Sequence, residues 1–167
     1  MKAKIALTLC VICVLLLMSC ASSPPPERTS SDDCLVIIKT EIINPQMVPT
    51  ARAFKFDFSG AYPSVFIGNA FTAAKIGEPG VEIKTVSTFV RGQSMGASAK
   101  INAGIALPYK PGQLVIADFV FVITYTKVDE HTYGSGISLR KITESERGSI
   151  LEDLRSSGDY SGWMNQE

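Results

Sequence analysis

The sequence predicts a mainly β protein, an antiparallel β-sandwich that ends in one short helix. About seven short runs rich in β-branched and aromatic residues follow residue 34, and turn signals with glycine, proline or asparagine separate them. These runs do not alternate with long helical patterns, which favours antiparallel pairing over a parallel sheet. The period of the apolar residues changes only near the end of the chain, where it becomes helical.

The first half of the domain contains three clear strand patterns. Residues 35–43 form a β-branched run that ends at an Asn-Pro turn. Residues 53–58 alternate strictly and place three phenylalanines on one face, and residues 64–67 form a further short strand. Residues 69–76 fit a single helical turn as well as a strand, so the sequence leaves that element open.

The second half contains the longest strand pattern. Residues 81–90 alternate, whereas residues 97–107 fit period two as well as period four. Residues 114–128 are dense in β-branched and aromatic types, and strands usually have about 5 to 6 residues. We therefore expect one long bent strand or two strands that share a kink at Asp118. Residues 137–142 are the last predicted strand.

A helix is predicted after the last strand. Thr143 and Glu146 have the spacing of a capping box, apolar side chains follow at helical spacing, and Gly158 ends the run. Residues 160–167 contain the only tryptophan, Trp163. We expect this tail to fold back over a sheet edge.

The first twenty residues have the anatomy of an export signal. A positive start with Lys2 and Lys4 precedes an apolar run of about 14 residues, and small residues close the run. A helix that crosses the hydrocarbon core needs about 20 residues, so this run is too short for a permanent span. Residues 17–20 read Leu-Met-Ser-Cys. This motif resembles the lipobox of bacterial lipoproteins.

The resemblance implies lipidation of Cys20. Its thiol would receive a diacylglycerol, a peptidase would remove residues 1–19, and the new amino group would take a fatty acid such as palmitate. Two or more acyl chains give stable anchoring, at about 0.8 kcal/mol per buried methylene. Because alanine follows Cys20, the sorting rule of enteric lipoproteins favours the outer membrane, facing the periplasm or the cell surface, over the inner membrane. An ordinary signal cut near Ala21 and an uncleaved anchor are the alternatives.

Three segments follow from these patterns. Residues 1–19 are the signal peptide, and residues 20–33 are the lipidated cysteine and a disordered tether rich in serine and proline. Residues 34–167 form a single β-rich domain. Its short strands, the Pro-Gly turn before the strongest strand and the tether are together similar to periplasmic lipoproteins with transthyretin-like or immunoglobulin-like sandwiches.

The net charge and the cysteines limit which partners and which thiol chemistry the sequence predicts. The formal charge of the chain is zero and the signal removes two lysines and no acid, so the mature chain has a charge near −2. There is no basic stripe, which disfavours a nucleic-acid partner. Cys10 and Cys13 leave with the signal, and Cys34 is expected to be buried as a small hydrophobe. An intermolecular disulfide or a reactive thiol is the alternative for Cys34.

One catalytic motif needs to be weighed. Residues 92–96 read Gly-Gln-Ser-Met-Gly, which fits the nucleophile elbow G-x-S-x-G of α/β-hydrolases. Ser94 would be the nucleophile, His131 its base, and Asp118 or Asp129 the carboxylate that orients the imidazole. Only 37 residues separate Ser94 from His131, however, which leaves no room for the usual strands and helices. We expect the two glycines to serve a hairpin loop.

The remaining polar cluster is Asp-Glu-His at residues 129–131. Neighbouring residues in an extended segment point to opposite sides, and no second histidine completes a metal site. We therefore expect a solvated loop, no metal, no cofactor and no enzymatic activity.

The sequence predicts a binding or structural module of the cell envelope that is held to the lipid bilayer through Cys20. The alternatives are a small serine hydrolase and an accessory subunit whose exposed strand edge pairs with an envelope protein.

Overall fold

A computed structural model describes residues 25–43, 53–62, 64–67, 71–89, 96–127 and 133–164. These residues contain eight strands and two helices. They are β1 (Cys34–Ile43), β2 (Ala53–Phe58), β3 (Ser64–Ile67), β4 (Phe71–Ile76), β5 (Glu82–Phe89), β6 (Gly96–Ala106), β7 (Leu114–Lys127), β8 (Tyr133–Lys141), α1 (Glu144–Ser157) and α2 (Ser161–Met164).

The strands form two sheets. One has five strands in the order β3-β4-β1-β7-β8, and the other has three in the order β2-β5-β6. This confirms a mainly β fold with a short C-terminal helix. The expectation of purely antiparallel pairing is wrong at one place, because β1 and β7 are parallel and the larger sheet is therefore mixed. Parallel strands need a long crossover connection, and the chain supplies one by visiting the second sheet between β1 and β7.

Strand β1 is buried on both of its faces. Cys34, Val36 and Ile38 belong to one hydrophobic cluster, whereas Leu35 and Ile37 belong to another. All five side chains have no exposed surface. A strand covered on both faces reads as a continuous apolar run, which is why residues 34–38 show no alternation.

The first cluster contains buried residues of both sheets. From the five-stranded sheet it includes Phe121, and from the three-stranded sheet it includes Phe56. The two rings lie 5.1 Å apart between centroids, and Phe119 meets Phe121 edge to face at 5.7 Å. Such aromatic pairs add about 0.5–1.5 kcal/mol beyond the burial of their area.

The second cluster lies on the other face of the five-stranded sheet. Ile150 and Leu154 of α1 pack there with Val120 of β7, and Tyr160 and Trp163 of the C-terminal tail are buried in the same cluster. The described part of the tail, residues 160–164, therefore packs on a face of the sheet, whereas the sequence suggested an edge. A large aromatic side chain buries more apolar area on a face than at an edge, where one side meets water.

Strand β7 is one continuous strand with an irregularity at the predicted position. Ile37 pairs with Ile116 and Lys39 pairs with Val120, so β7 has two more residues than β1 across this interval. Because side chains alternate with a period of two residues along a strand, the two extra residues leave the same side chains of β7 on the same faces before and after the bulge. Asp118 lies within this bulge and is exposed.

The helix begins and ends where the sequence predicts. Thr143 accepts a hydrogen bond from the Glu146 backbone at 3.2 Å, and the Glu146 carboxylate accepts one from the Thr143 backbone at 2.9 Å, which completes the capping box. Gly158 ends α1 with a φ of 71°, a left-handed conformation that favours glycine.

Two undecided segments and one boundary are settled by the pairing. Residues 71–76 form β4 and residues 96–106 form β6. Between Ile83 and Thr85 of β5, the pairing in β6 skips from Ile105 to Lys100, and Gly104 takes a positive φ of 66° in this bulge. β8 begins at Tyr133, four residues before the predicted start, because its glycines and serines pair with β7.

Candidate functional site

Most residues of the predicted sites lie outside the described part of the chain. This holds for the lipidation residue Cys20, for Ser94 and His131 of the suggested triad, and for Asp129. The remaining triad candidate, Asp118, is exposed in the bulge of β7, and its backbone oxygen accepts a hydrogen bond from Ile142 at 3.0 Å.

The chain after Ser94 does not have the context of a nucleophile elbow. An elbow turns from a strand directly into a helix, whose N-terminus faces the active site. Here β6 begins at Gly96, the last residue of the motif, and continues as a strand to Ala106. The motif therefore ends at the first residue of a strand that pairs antiparallel with β5, and residues 92–95 lie outside the described residues.

One polar site in the described part of the chain binds residues 25–33. Trp163 donates its indole N–H to the backbone oxygen of Pro26 at 3.0 Å. Lys75 of β4 donates to the backbone oxygen of Glu27 at 3.1 Å and to the Thr29 hydroxyl at 2.9 Å. The segment thus runs from the start of β1, past the end of β4, to α2.

Asp33 closes this segment at the point where it enters β1. Its Oδ2 accepts hydrogen bonds from the Thr29 backbone at 2.6 Å, the Thr29 hydroxyl at 2.9 Å and the Ser30 backbone at 2.8 Å. The Lys75 ammonium lies 3.5 Å from the same oxygen. Burial raises the pKa of Asp33, but the bonds from Thr29 and Ser30 and the charge of Lys75 outweigh it and leave the pKa below the ordinary value.

The loop before β7 completes the site from the other side. Tyr109 donates its hydroxyl to the backbone oxygen of Asp32 at 2.8 Å, and the Gly112 backbone donates to the oxygen of Asp33 at 2.9 Å. Backbone and side-chain donors of three elements therefore converge on residues 26–33. A segment that we expected to be tether makes specific contacts with the β domain.

Sequence reasoning missed these contacts because it judged residues 21–33 by composition. Proline, serine and acidic residues have little to bury, yet their backbone oxygens and hydroxyls can be bound by donors from elsewhere. Two signals could have found the site. Asp33 follows Thr29 and Ser30 at the spacing of a local side-chain turn, and the lone Trp163 needs a partner for its N–H when buried.

Cys34 is a free, buried thiol, as the apolar pattern predicts. Burial raises its pKa, against the opposing effect of the Lys110 backbone N–H, which lies 3.5 Å from the sulfur. A raised pKa keeps the thiol protonated at neutral pH, and the thiolate is the reactive form.

A second polar cluster joins β1, β8 and α1. Arg140 donates to Glu41 at 2.6 Å and to both carboxylate oxygens of Glu146 at 2.6 and 2.8 Å. Lys39 reaches Glu146 at 2.6 Å. The hydrogen bonds from Arg140 and Lys39 hold the pKa of Glu146 far below its usual range. Every charge in this cluster faces an opposite charge, so the cluster stabilises the fold and leaves no unbalanced charge for a ligand.

Two further features concern buried and exposed surface. The hydroxyls of Thr40 and Thr72 are buried without a hydrogen-bond partner. β8 is an edge strand of the five-stranded sheet among the described strands, and its Leu139 side chain is 46% exposed. An exposed apolar side chain on an edge strand is a feature that pairing partners use.

Within the described ranges, no three histidine, cysteine, aspartate or glutamate side chains are grouped in a way that suits a metal ion. None of the helices described here has the length and apolar character needed to cross a bilayer. Comparison of the chain with protein-family models, curated proteins and solved structures found no match.

Proposed function

We propose that the chain is a bacterial lipoprotein whose small β domain acts as a binding or structural module at the cell envelope, held to the bilayer through Cys20. The observation that carries the proposal is Leu-Met-Ser-Cys at residues 17–20, directly after an apolar run with a positive start. The outer membrane, facing the periplasm or the cell surface, is its proposed location.

The lipid anchor is tested by growing cells that express the chain with labelled palmitate. The wild type is expected to carry label and to sediment with membranes, because two or more acyl chains bind stably. Cys20→Ser is expected to lose both properties. Cys13→Ser is the matched control, since it changes a cysteine of the same segment outside the motif and should keep the label. An unlabelled wild type would refute the anchor.

The two sheets are proposed to pack as a sandwich of transthyretin-like or immunoglobulin-like type. Support comes from the first hydrophobic cluster, which includes Phe56 of one sheet and Phe121 of the other. The parallel β1–β7 pair makes the larger sheet mixed. Nuclear Overhauser contacts between the rings of Phe56 and Phe121 in solution are expected, and their absence would argue against this packing.

The proposal excludes catalysis by Ser94. The strand that starts at Gly96 favours this exclusion, because it replaces the helix that an elbow requires. We expect the purified chain to hydrolyse p-nitrophenyl butyrate no faster than buffer does, and Ser94→Ala to behave identically. Hydrolysis by the wild type that Ser94→Ala abolishes would revive the hydrolase.

A role as an accessory subunit is the second candidate, favoured by the exposed Leu139 on the edge strand β8. A photo-crosslinking residue at position 139 is expected to capture one envelope protein in living cells. The same residue at Glu152, on the exposed face of α1, serves as control. Equal crosslinking from both positions would contradict a partner specific to β8.

A further inference from the structure

Few residues separate the proposed lipidation site from the first residue that the structure describes. Cys20 and Pro25 are five residues apart, and Pro26 is already bound by Trp163. An extended chain spans at most about 3.3–3.6 Å per residue, so five residues reach about 17 Å. A tether free up to Cys34 would reach about 48 Å by the same rule.

We propose that residues 25–33 are a docked strap, and that the strap holds one particular end of the domain, the end formed by Trp163 and α2, against the lipid surface. This inference rests on the proposed lipidation of Cys20. It changes the role of the segment from a spacer, which would leave the domain free to rotate, to a clamp that fixes which side faces the bilayer.

The strap is fixed at both of its ends and in the middle. Pro26 is bound by Trp163, which is itself buried at 5% exposure, and Asp33 receives three hydrogen bonds within the strap. Lys75 binds between them, at Glu27 and Thr29. Bonds to ionised groups contribute more than neutral ones, so Lys75 holds the strap to the domain most strongly, and the bonds that Asp33 accepts from Thr29 and Ser30 fix the conformation of the strap.

The geometry selects a lipid surface as the partner of this end. The strap leaves the domain beside Trp163, so the acyl chains lie within the short reach of five residues from that point. β8, which carries the exposed Leu139, lies three strands away from β4 in the larger sheet. The short reach of the chain does not hold β8 close to the bilayer. The clamp therefore does not require the domain to insert its own residues into the bilayer.

Docking is tested first by proteolysis, because Arg28 lies in the strap and is a trypsin site. Its Nε donates to the Ser30 backbone oxygen at 3.1 Å, a folded-back conformation that trypsin cannot accept. Asp33→Asn is expected to raise the rate of cleavage after Arg28 about tenfold, since a charged acceptor of several bonds is lost. Trp163→Phe, which keeps an aromatic ring but removes the donor, is expected to act in the same direction.

The matched control is Asp32→Asn, the same charge change at the adjacent residue. Asp32 is exposed, and its backbone oxygen makes the contact with Tyr109. Cleavage after Arg28 is expected to stay at the wild-type rate in this variant. Rapid cleavage of the wild type, or equal rates in all variants, would refute the docked strap.

Orientation is tested by energy transfer from Trp163, the only tryptophan, to dansyl-labelled headgroups. The acylated protein is placed in vesicles of phosphatidylethanolamine and phosphatidylglycerol. Transfer is expected to be strong in the wild type and to fall at least twofold in Asp33→Asn and after insertion of a flexible linker of about fifteen residues behind Ala21, which adds about 22 Å. Transfer that neither change reduces would refute the clamp.

Failure of the inference and failure of the lipid anchor give different results. Trypsin protection of the strap does not depend on acylation and can be measured with Cys20→Ser. If the wild type is protected but does not sediment with membranes, the anchor fails and the strap stands. If the wild type is acylated but Arg28 is cleaved rapidly, the anchor stands and the clamp is wrong.

Discussion

Asp33 shows how one carboxylate can organise a segment that has no apolar residues to bury. Three donors within the strap and the ammonium of Lys75 surround a side chain that retains 10% of its exposure. Removing such an acceptor leaves several partly buried donors without partners, which costs more than the net contribution of each bond.

The stability that Asp33 contributes should depend on pH. Its folded pKa lies below the ordinary value of 3.8, so the contribution is fully present above that value and is lost as the pH falls through the folded pKa. In urea titrations, the difference in unfolding free energy between wild type and Asp33→Asn should be largest at neutral pH and should shrink below pH 3.8. A difference that grows on acidification would contradict this assignment.

Thr72 presents the opposite situation, a polar group without a partner. It pairs with Ile38 and is fully buried, and its hydroxyl has no hydrogen bond. Valine has the same branched shape without the hydroxyl. Thr72→Val is therefore expected to raise the free energy of unfolding by about 1–3 kcal/mol.

Urea denaturation measures this effect, with Thr72→Ser as the matched control. Serine keeps the hydroxyl and loses the methyl group, so it should lower the stability by about 1 kcal/mol. A valine variant less stable than the wild type would mean that the hydroxyl does bind something in solution.

At the scale of elements, α1 is joined to the sheet by Glu146. This residue completes the capping box with Thr143 and also binds Arg140 of β8 and Lys39 of β1. Local helix initiation and tertiary attachment therefore share one side chain, and two variants can separate them.

Thr143→Ala removes the cap and is expected to lower the free energy of unfolding by about 1 kcal/mol, with little dependence on salt. Glu146→Gln can still cap the Thr143 backbone but loses the charge, so its cost should shrink in 1 M NaCl, where partly exposed ion pairs are screened. The measurement is urea denaturation at low and high salt. Equal salt dependence of the two variants would show that the ion pairs add nothing.

At the scale of the whole molecule, β1 joins the two hydrophobic clusters. Cys34, Val36 and Ile38 belong to the cluster that includes Phe56 of the three-stranded sheet, and Leu35 and Ile37 belong to the cluster that includes Leu154 of α1. Neither cluster can lose its packing without exposing one face of this strand. The described layers are therefore expected to unfold together.

Trp163 fluorescence reports on the helical side, and far-ultraviolet circular dichroism reports mainly on the sheets. The two signals are expected to give one coincident transition in urea. Leu154→Ala truncates a fully buried side chain, so it should lower the free energy of unfolding obtained from both signals by about 2–5 kcal/mol. Leu139→Ala is the control, because that leucine is 46% exposed and should change the stability by less than about 0.5 kcal/mol. Separate transitions would show that the layers are independent.

Local patterns were sufficient to predict several parts of the molecule. The capping box of α1, its end at Gly158, the burial of Cys34 and the irregularity at Asp118 follow from short-range chemistry, in which a residue and its near neighbours decide the outcome. The lipidation of Cys20 is a prediction of the same kind and awaits its measurement.

Tertiary structure alone decided how the strands pair and which distant groups meet. The parallel neighbours β1 and β7 are separated by some seventy residues, and period-two alternation is the same for either direction of pairing. The binding of Pro26 by Trp163 joins residues 137 positions apart in the chain. Periodicity determines which side of an element is apolar, whereas the partner of each side depends on the free energy of the whole packed arrangement, and for that reason the sequence determined the elements and the fold determined the strap.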